Sequence, residues 1–167
     1  MARALIVGCG CRGRALGTRL RDGGWQVRGS SRDTAGAKEI TAAGLEGVVA
    51  DPGRVGTVLD EIEGVTLVFW LLGTAAGDED GVAALHGPRL ERLLEEIVDT
   101  PVRGLVYESA GSVRKDLVTG GAEIVRAAGE RWRIPVAVVD ADPGQVEKWV
   151  DAMTAAAERL IGAGRLG

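Results

Sequence analysis

Ala4-Leu5-Ile6-Val7-Gly8-Cys9-Gly10-Cys11-Arg12-Gly13, with Gly17 four residues further, is the stretch that decides the fold. A short, continuous apolar run suits a strand buried on both faces, as in a parallel sheet. The run stops at Gly8, and a helical pattern follows over residues 12–22 until Gly23-Gly24 ends it. Glycines spaced G-x-G-x-x-G therefore stand between a strand and a helix. Gly8 permits the tight turn, Gly10 lets backbone approach a bound group closely, and Gly13 lets helix and sheet pack together.

The same alternation continues outward. Residues 25–29, 47–50, 66–72, 102–108 and 135–139 read as strands, and residues 33–43, 54–63, 115–128 and 145–161 as helices. Pro88 suits the first turn of a further helix, with Leu90, Leu93, Leu94, Ile97 and Val98 as its apolar stripe. Gly73-Thr74-Ala75-Ala76-Gly77 and Ser109-Ala110-Gly111-Ser112 read as loops. Parallel strands need crossover helices, and those crossovers are right-handed. The layout predicts an α/β, doubly wound Rossmann domain over residues 1–167. Its six-stranded parallel sheet takes the order 3-2-1-4-5-6, with helices on both faces.

Composition narrows the function. The chain has 167 residues, a net charge of −4 and a pI near 5.1, so a basic nucleic-acid footprint is not expected. No apolar run approaches the ~20 residues of a membrane span. Met1 leads into an apolar strand without a signal-peptide layout, and cytoplasmic placement is expected. Cys9 and Cys11 are too close in sequence to form a structural staple. They also lack two further ligands for a metal. His86, the one histidine, is expected to be a neutral surface residue.

The glycine turn opening a helix is the layout of a dinucleotide site. Unpaired N–H groups and the positive end of the helix dipole face the phosphates. NAD-specific domains carry Asp or Glu at the end of the second strand to hold the ribose 2′-hydroxyl. Here that place reads Gly29-Ser30-Ser31-Arg32. Ser30, Ser31 and Arg32 suit a 2′-phosphate, which guanidinium binds in a bidentate manner. NADP(H) is therefore favoured over NAD(H). Arg12 is a candidate second partner of that phosphate. The competing assignment is that Ser31 or Asp33 caps the next helix and Arg32 is solvated. Asp51 ends the third strand, where it meets an adenine edge or makes a turn with Pro52. The cofactor set is Gly8, Gly10, Cys11, Arg12, Gly13, Ser30, Ser31, Arg32, Asp51 and Gly73. A redox role for Cys11 would block the phosphate site.

These pieces resemble the short-chain dehydrogenase/reductase superfamily, in its atypical or extended branches. The chain is also similar to short actinobacterial NAD(P)-binding Rossmann proteins. The resemblance implies an oxidoreductase passing hydride from NADP(H) to a small carbonyl or quinone-like acceptor. It departs at the catalytic centre. The family's Tyr-x-x-x-Lys pair is missing, because Tyr107 is the one tyrosine and Gly111 lies four residues on. The long substrate-covering segment is missing too. Ser109 resembles the family's serine at the fifth strand end, which bonds a substrate carbonyl, and Tyr107 is the other candidate proton donor. The alternative is a non-catalytic NADP(H) sensor acting through a protein partner. An S-adenosylmethionine-dependent methyltransferase fits less well, for want of an acidic residue at the end of the second strand. Trp132 and Trp149 serve packing or a homodimer surface.

Overall fold

A computed structural model describes residues 2–166. Its strands are β1 (Arg3–Val7), β2 (Gln26–Ser31), β3 (Glu46–Val49), β4 (Leu67–Trp70), β5 (Gly104–Glu108) and β6 (Val136–Val139). They form one sheet in the predicted order β3-β2-β1-β4-β5-β6. Every neighbouring pair is parallel. Val7 pairs with both Ser30 and Trp70, and Trp70 pairs with Tyr107. This register brings the carboxyl ends of the central strands into one row, where a doubly wound sheet places its ligands.

β4 is apolar at every position, and β1 from Ala4 to Val7, because both faces of the sheet are covered. Helices α1 (Cys11–Asp22), α2 (Thr34–Ala42) and α7 (Val146–Leu166) supply the cover on one face. There Ile6 and Phe69 pack with Leu16, Leu20, Ile40, Trp149 and Met153. Helices α3 (Val55–Leu59), α5 (Pro88–Ile97) and α6 (Lys115–Trp132) cover the other. There Leu5, Val7 and Trp70 pack with Val58, Leu90, Leu93, Ile97 and Val125. Alternate residues of one strand thus feed two cores.

Several elements differ from expectation. The crossover from β4 to β5 contains an extra helix, α4 (Glu79–Leu85). None of its residues is fully buried, so it has no apolar stripe to betray it, although Asp78 caps it by accepting from the Gly81 N–H at 2.7 Å. The helix expected over residues 54–63 stops at Leu59. Beyond it the Glu61 and Ile62 amides tighten onto the Val58 and Leu59 carbonyls, and the chain turns toward β4. β2 runs on to Ser31, because Ser31 pairs with Val49 of β3.

Gly8 adopts φ +81°, and a Cβ there would lie 2.5 Å from the Leu71 carbonyl oxygen. Both backbone and space demand glycine. Gly8→Ala should lower unfolding free energy by about 1–3 kcal/mol for the left-handed backbone alone. Urea denaturation reads this out, and an unchanged midpoint would contradict it.

Candidate cofactor cleft

At the carboxyl edge lies a cleft of about 760 Å³. Its walls are the β1–α1 turn, the ends of β2 and β3, the segment after β4, and α4. Three helices start around it, and their caps differ. Asp33 caps α2 by accepting from the Gly36 N–H at 2.7 Å, and Asp78 caps α4 in the same way. α1 starts at Gly10 with no side-chain cap. No atom lies within 4 Å of where a Gly10 Cβ would stand. The start of α1 is thus left open to a ligand, and its dipole favours an anion.

Ser30 is 1% exposed, lines the cleft, and its hydroxyl has no partner within the protein. A buried hydroxyl without a partner is uncommon and calls for a ligand or water. Next to it, Ser31 Oγ accepts from the Asp33 N–H at 3.5 Å. Arg32 stands exposed at the rim. Asp51 also lines the cleft; its carboxylate accepts from the Gly53 N–H at 2.9 Å, so it makes the turn at Pro52 as well. Ala50, Leu72, Ala75, Val82 and Leu85 give this part of the cleft apolar walls.

Arg12 is a correction. It does not join Arg32. Its Nη2 donates to Thr74 Oγ1 at 2.8 Å, and its guanidinium lies 5.9 Å from the Trp149 ring centre. Two residues along an α-helix turn the side chain by about 200°. Arg14 consequently faces the cleft where Arg12 was expected, and its Nη1 lies 3.3 Å from Glu39 Oε2 on α2. Arg14 and Glu39 were missed in the sequence, although counting around α1 would have found Arg14. Cys11 is exposed at the first position of α1. Cys9 is buried, and burial pushes its thiol up to about 12.

Past β4 and β5, a buried carboxylate organises the ends. Glu108, 1% exposed, accepts from the Gly73 N–H at 2.9 Å and from Trp149 Nε1 at 2.8 Å. Burial raises its pKa; the two hydrogen bonds and the charge of Arg12 pull the other way. Ser109 is half-buried, and its hydroxyl donates to the Val139 carbonyl at 3.3 Å. Tyr107 is fully buried, and its hydroxyl lies 2.6 Å from His86 Nδ1. It faces the core between β5 and α6, away from the cleft, and Gly121 leaves it room by having no side chain.

His86 is therefore not a surface residue. It is 2% exposed, and its Nε2 lies 2.9 Å from the Leu72 carbonyl oxygen. A carbonyl can only accept, so Nε2 carries the proton and Nδ1 accepts from Tyr107. Trp149 is buried within its own chain, which assigns it to packing; Trp132 remains partly exposed, with Arg131 over its ring. Among the described residues no cluster of His, Cys, Asp or Glu is arranged to hold a metal. Among them too, no helix is long and apolar enough to cross a membrane.

No family model and no curated protein matches the sequence. Solved structures do match. A short-chain dehydrogenase from Sphingobium yanoikuyae in complex with NADPH aligns with TM-score 0.67 and 15% identity, over 96% of this chain and 85% of that one. A metagenomic short-chain oxidoreductase in complex with NADP aligns with TM-score 0.62 and 16% identity, over 82% of this chain and 80% of that one. UDP-glucuronic acid 4-epimerase from Bacillus cereus in complex with NAD gives 0.66 and 12%, over 84% of this chain. The chain spans 56% of that epimerase's length. At these identities the likeness establishes a common fold, that of short-chain dehydrogenases and NAD(P)-dependent epimerases.

Burial lowers the His86 pKa from 6.5. Below about pH 6.5 the unfolded chain takes up a proton that the native state refuses, so this residue's contribution to stability falls as pH drops. Glu108 acts oppositely, because its raised pKa favours the native state as pH falls toward 4.5. Comparison with His86→Gln separates the two. The stability of wild type relative to the variant should decline between about pH 7.5 and about pH 5.5. A constant difference in melting would contradict the assignment.

Proposed function

We propose that the chain binds NADP(H) across the carboxyl edge of its sheet as a short-chain dehydrogenase/reductase-type oxidoreductase. The observation that carries this is the open start of α1 sharing one cleft with the orphaned Ser30 hydroxyl. The two fit opposite ends of one adenosine diphosphate. In this reading the N–H groups at Gly10, Cys11, Arg12 and Gly13 hold the pyrophosphate, where the helix dipole adds attraction. The adenine lies in the apolar slot beside Asp51. Ser30, Ser31 and Arg32 hold the ribose and its 2′-phosphate. Gly73 and Ser109 stand at the nicotinamide end.

When bound, the nicotinamide supplies or takes up a hydride. The acceptor in this reading is a small carbonyl or a quinone-like compound. Ser109 exchanges its long bond to the Val139 carbonyl for one to the substrate oxygen, and solvent delivers the proton. A second reading is a non-catalytic NADP(H) sensor that signals through a protein partner. The burial of Tyr107 against His86 favours it, because the chain then has no tyrosine at the cleft.

Melting in the presence of NADPH, NADP⁺, NADH and S-adenosylmethionine tests the cofactor. A ligand at about 100 times its dissociation constant adds ~2.7 kcal/mol to stability. NADPH should stabilise most. Arg32→Ala should weaken NADPH by about tenfold or more while sparing NADH, as expected on losing a charge-assisted contact. No stabilisation by any dinucleotide would overturn the proposal. NADPH oxidation against carbonyls and quinones separates the two readings: turnover lost in Ser109→Ala supports the oxidoreductase, and absence of turnover across the panel supports the sensor.

A further inference from the structure

Four charged residues line the cleft near the end of β2: Arg14, Arg32, Asp33 and Glu39. Two are cations and two are anions, so the formal charges of this wall cancel. The start of α2 offers little help, because the Asp33 carboxylate already occupies the Gly36 N–H. Arg14 is held by Glu39 at 3.3 Å, with the two side chains 27% and 67% exposed. Exposed pairs of this kind contribute little to stability and exchange partners readily. Arg14 is therefore detachable, and Glu39 is the group from which it must be detached.

We infer that Glu39 is a built-in competitor for Arg14 and thereby sets the coenzyme preference of the cleft. The inference rests on the NADP(H) reading. A 2′-phosphate brings about two negative charges to this wall. It draws Arg14 away from Glu39 and toward Arg32, forming a two-arginine clamp. Glu39 opposes this in two ways: it retains Arg14, and it repels the phosphate directly. NAD(H), with a ribose hydroxyl at the same place, leaves the Arg14–Glu39 pair intact. The wall therefore grants NADP(H) less advantage than its two arginines alone would give. Glu39 sets how much less.

The test is the ratio of dissociation constants, NADH over NADPH, measured by fluorescence titration of the full chain. At surface separations of several ångströms, one charge changes binding about fivefold in moderate salt. Glu39→Gln should raise the ratio about fivefold, and Arg14→Gln should lower it by about the same factor. The gain from Glu39→Gln should shrink when Arg14 is also Gln, because only the direct repulsion is then relieved. Melting curves establish that each variant folds, as loss of an exposed pair should barely shift them. A ratio indifferent to Glu39, or an equal gain with and without Arg14, would overturn the competition. If NADPH binds through Arg32 while the ratio ignores both residues, this inference alone falls. If neither dinucleotide binds wild type, the cofactor reading falls with it.

Discussion

Glu108 has a carboxylate almost wholly removed from solvent, and the carboxyl edge is arranged around that fact. Isolating such a charge costs several kcal/mol unless each oxygen finds a donor. One oxygen takes the Gly73 amide and the other takes the Trp149 indole N–H, while Arg12 supplies a nearby positive charge. The two donors come from the segment after β4 and from α7, and the charge comes from α1. A single side chain thus ties three separate pieces of chain to the end of β5. Gly73 must lack a side chain to come so close, since a Cβ there would meet Glu108 Oε1 at 2.8 Å. The row of strand ends that forms the cleft floor is fixed in this way.

The same network explains why the two arginines of the first turn part company. Arg12 is drawn toward Thr74 and the Trp149 face, and Arg14 is left to face α2 across the cleft. Charge is consequently divided between the two ends. One end has Arg12 with Glu108, and the other has Arg14 and Arg32 with Glu39 and Asp33. Neither end is strongly charged overall, so the proposed dinucleotide would be held by hydrogen bonds and the helix dipole more than by net charge.

Much of the fold was legible in the sequence because burial on both faces imposes runs such as Ala4–Val7 and residues 66–72, and no alternation is needed to recognise them. Strand order followed from the handedness of crossovers and the glycine turn. α4 was illegible for the complementary reason: it buries no full face, so no period marks it. Within the cleft, Ser30 and Arg32 could be named because they stand at the carboxyl end of the second strand. Arg14, Glu39 and His86 could not be named as readily. Their positions depend on which way two facing helices turn and on how the β4–β5 crossover folds back. His86 looked like a loop residue beside Gly87-Pro88, yet Trp70 fixes the preceding turn by donating to the Leu85 carbonyl at 3.0 Å, and His86 is carried into the core.

The account stands or falls on where a dinucleotide lies. A crystal structure of the chain with NADPH is the most direct measurement. It should show the pyrophosphate at the start of α1, the adenine beside Asp51, the 2′-phosphate at Arg32, and the nicotinamide directed toward Gly73 and Ser109. Density for NADPH elsewhere on the molecule, or a cleft left empty at saturating NADPH, would contradict it.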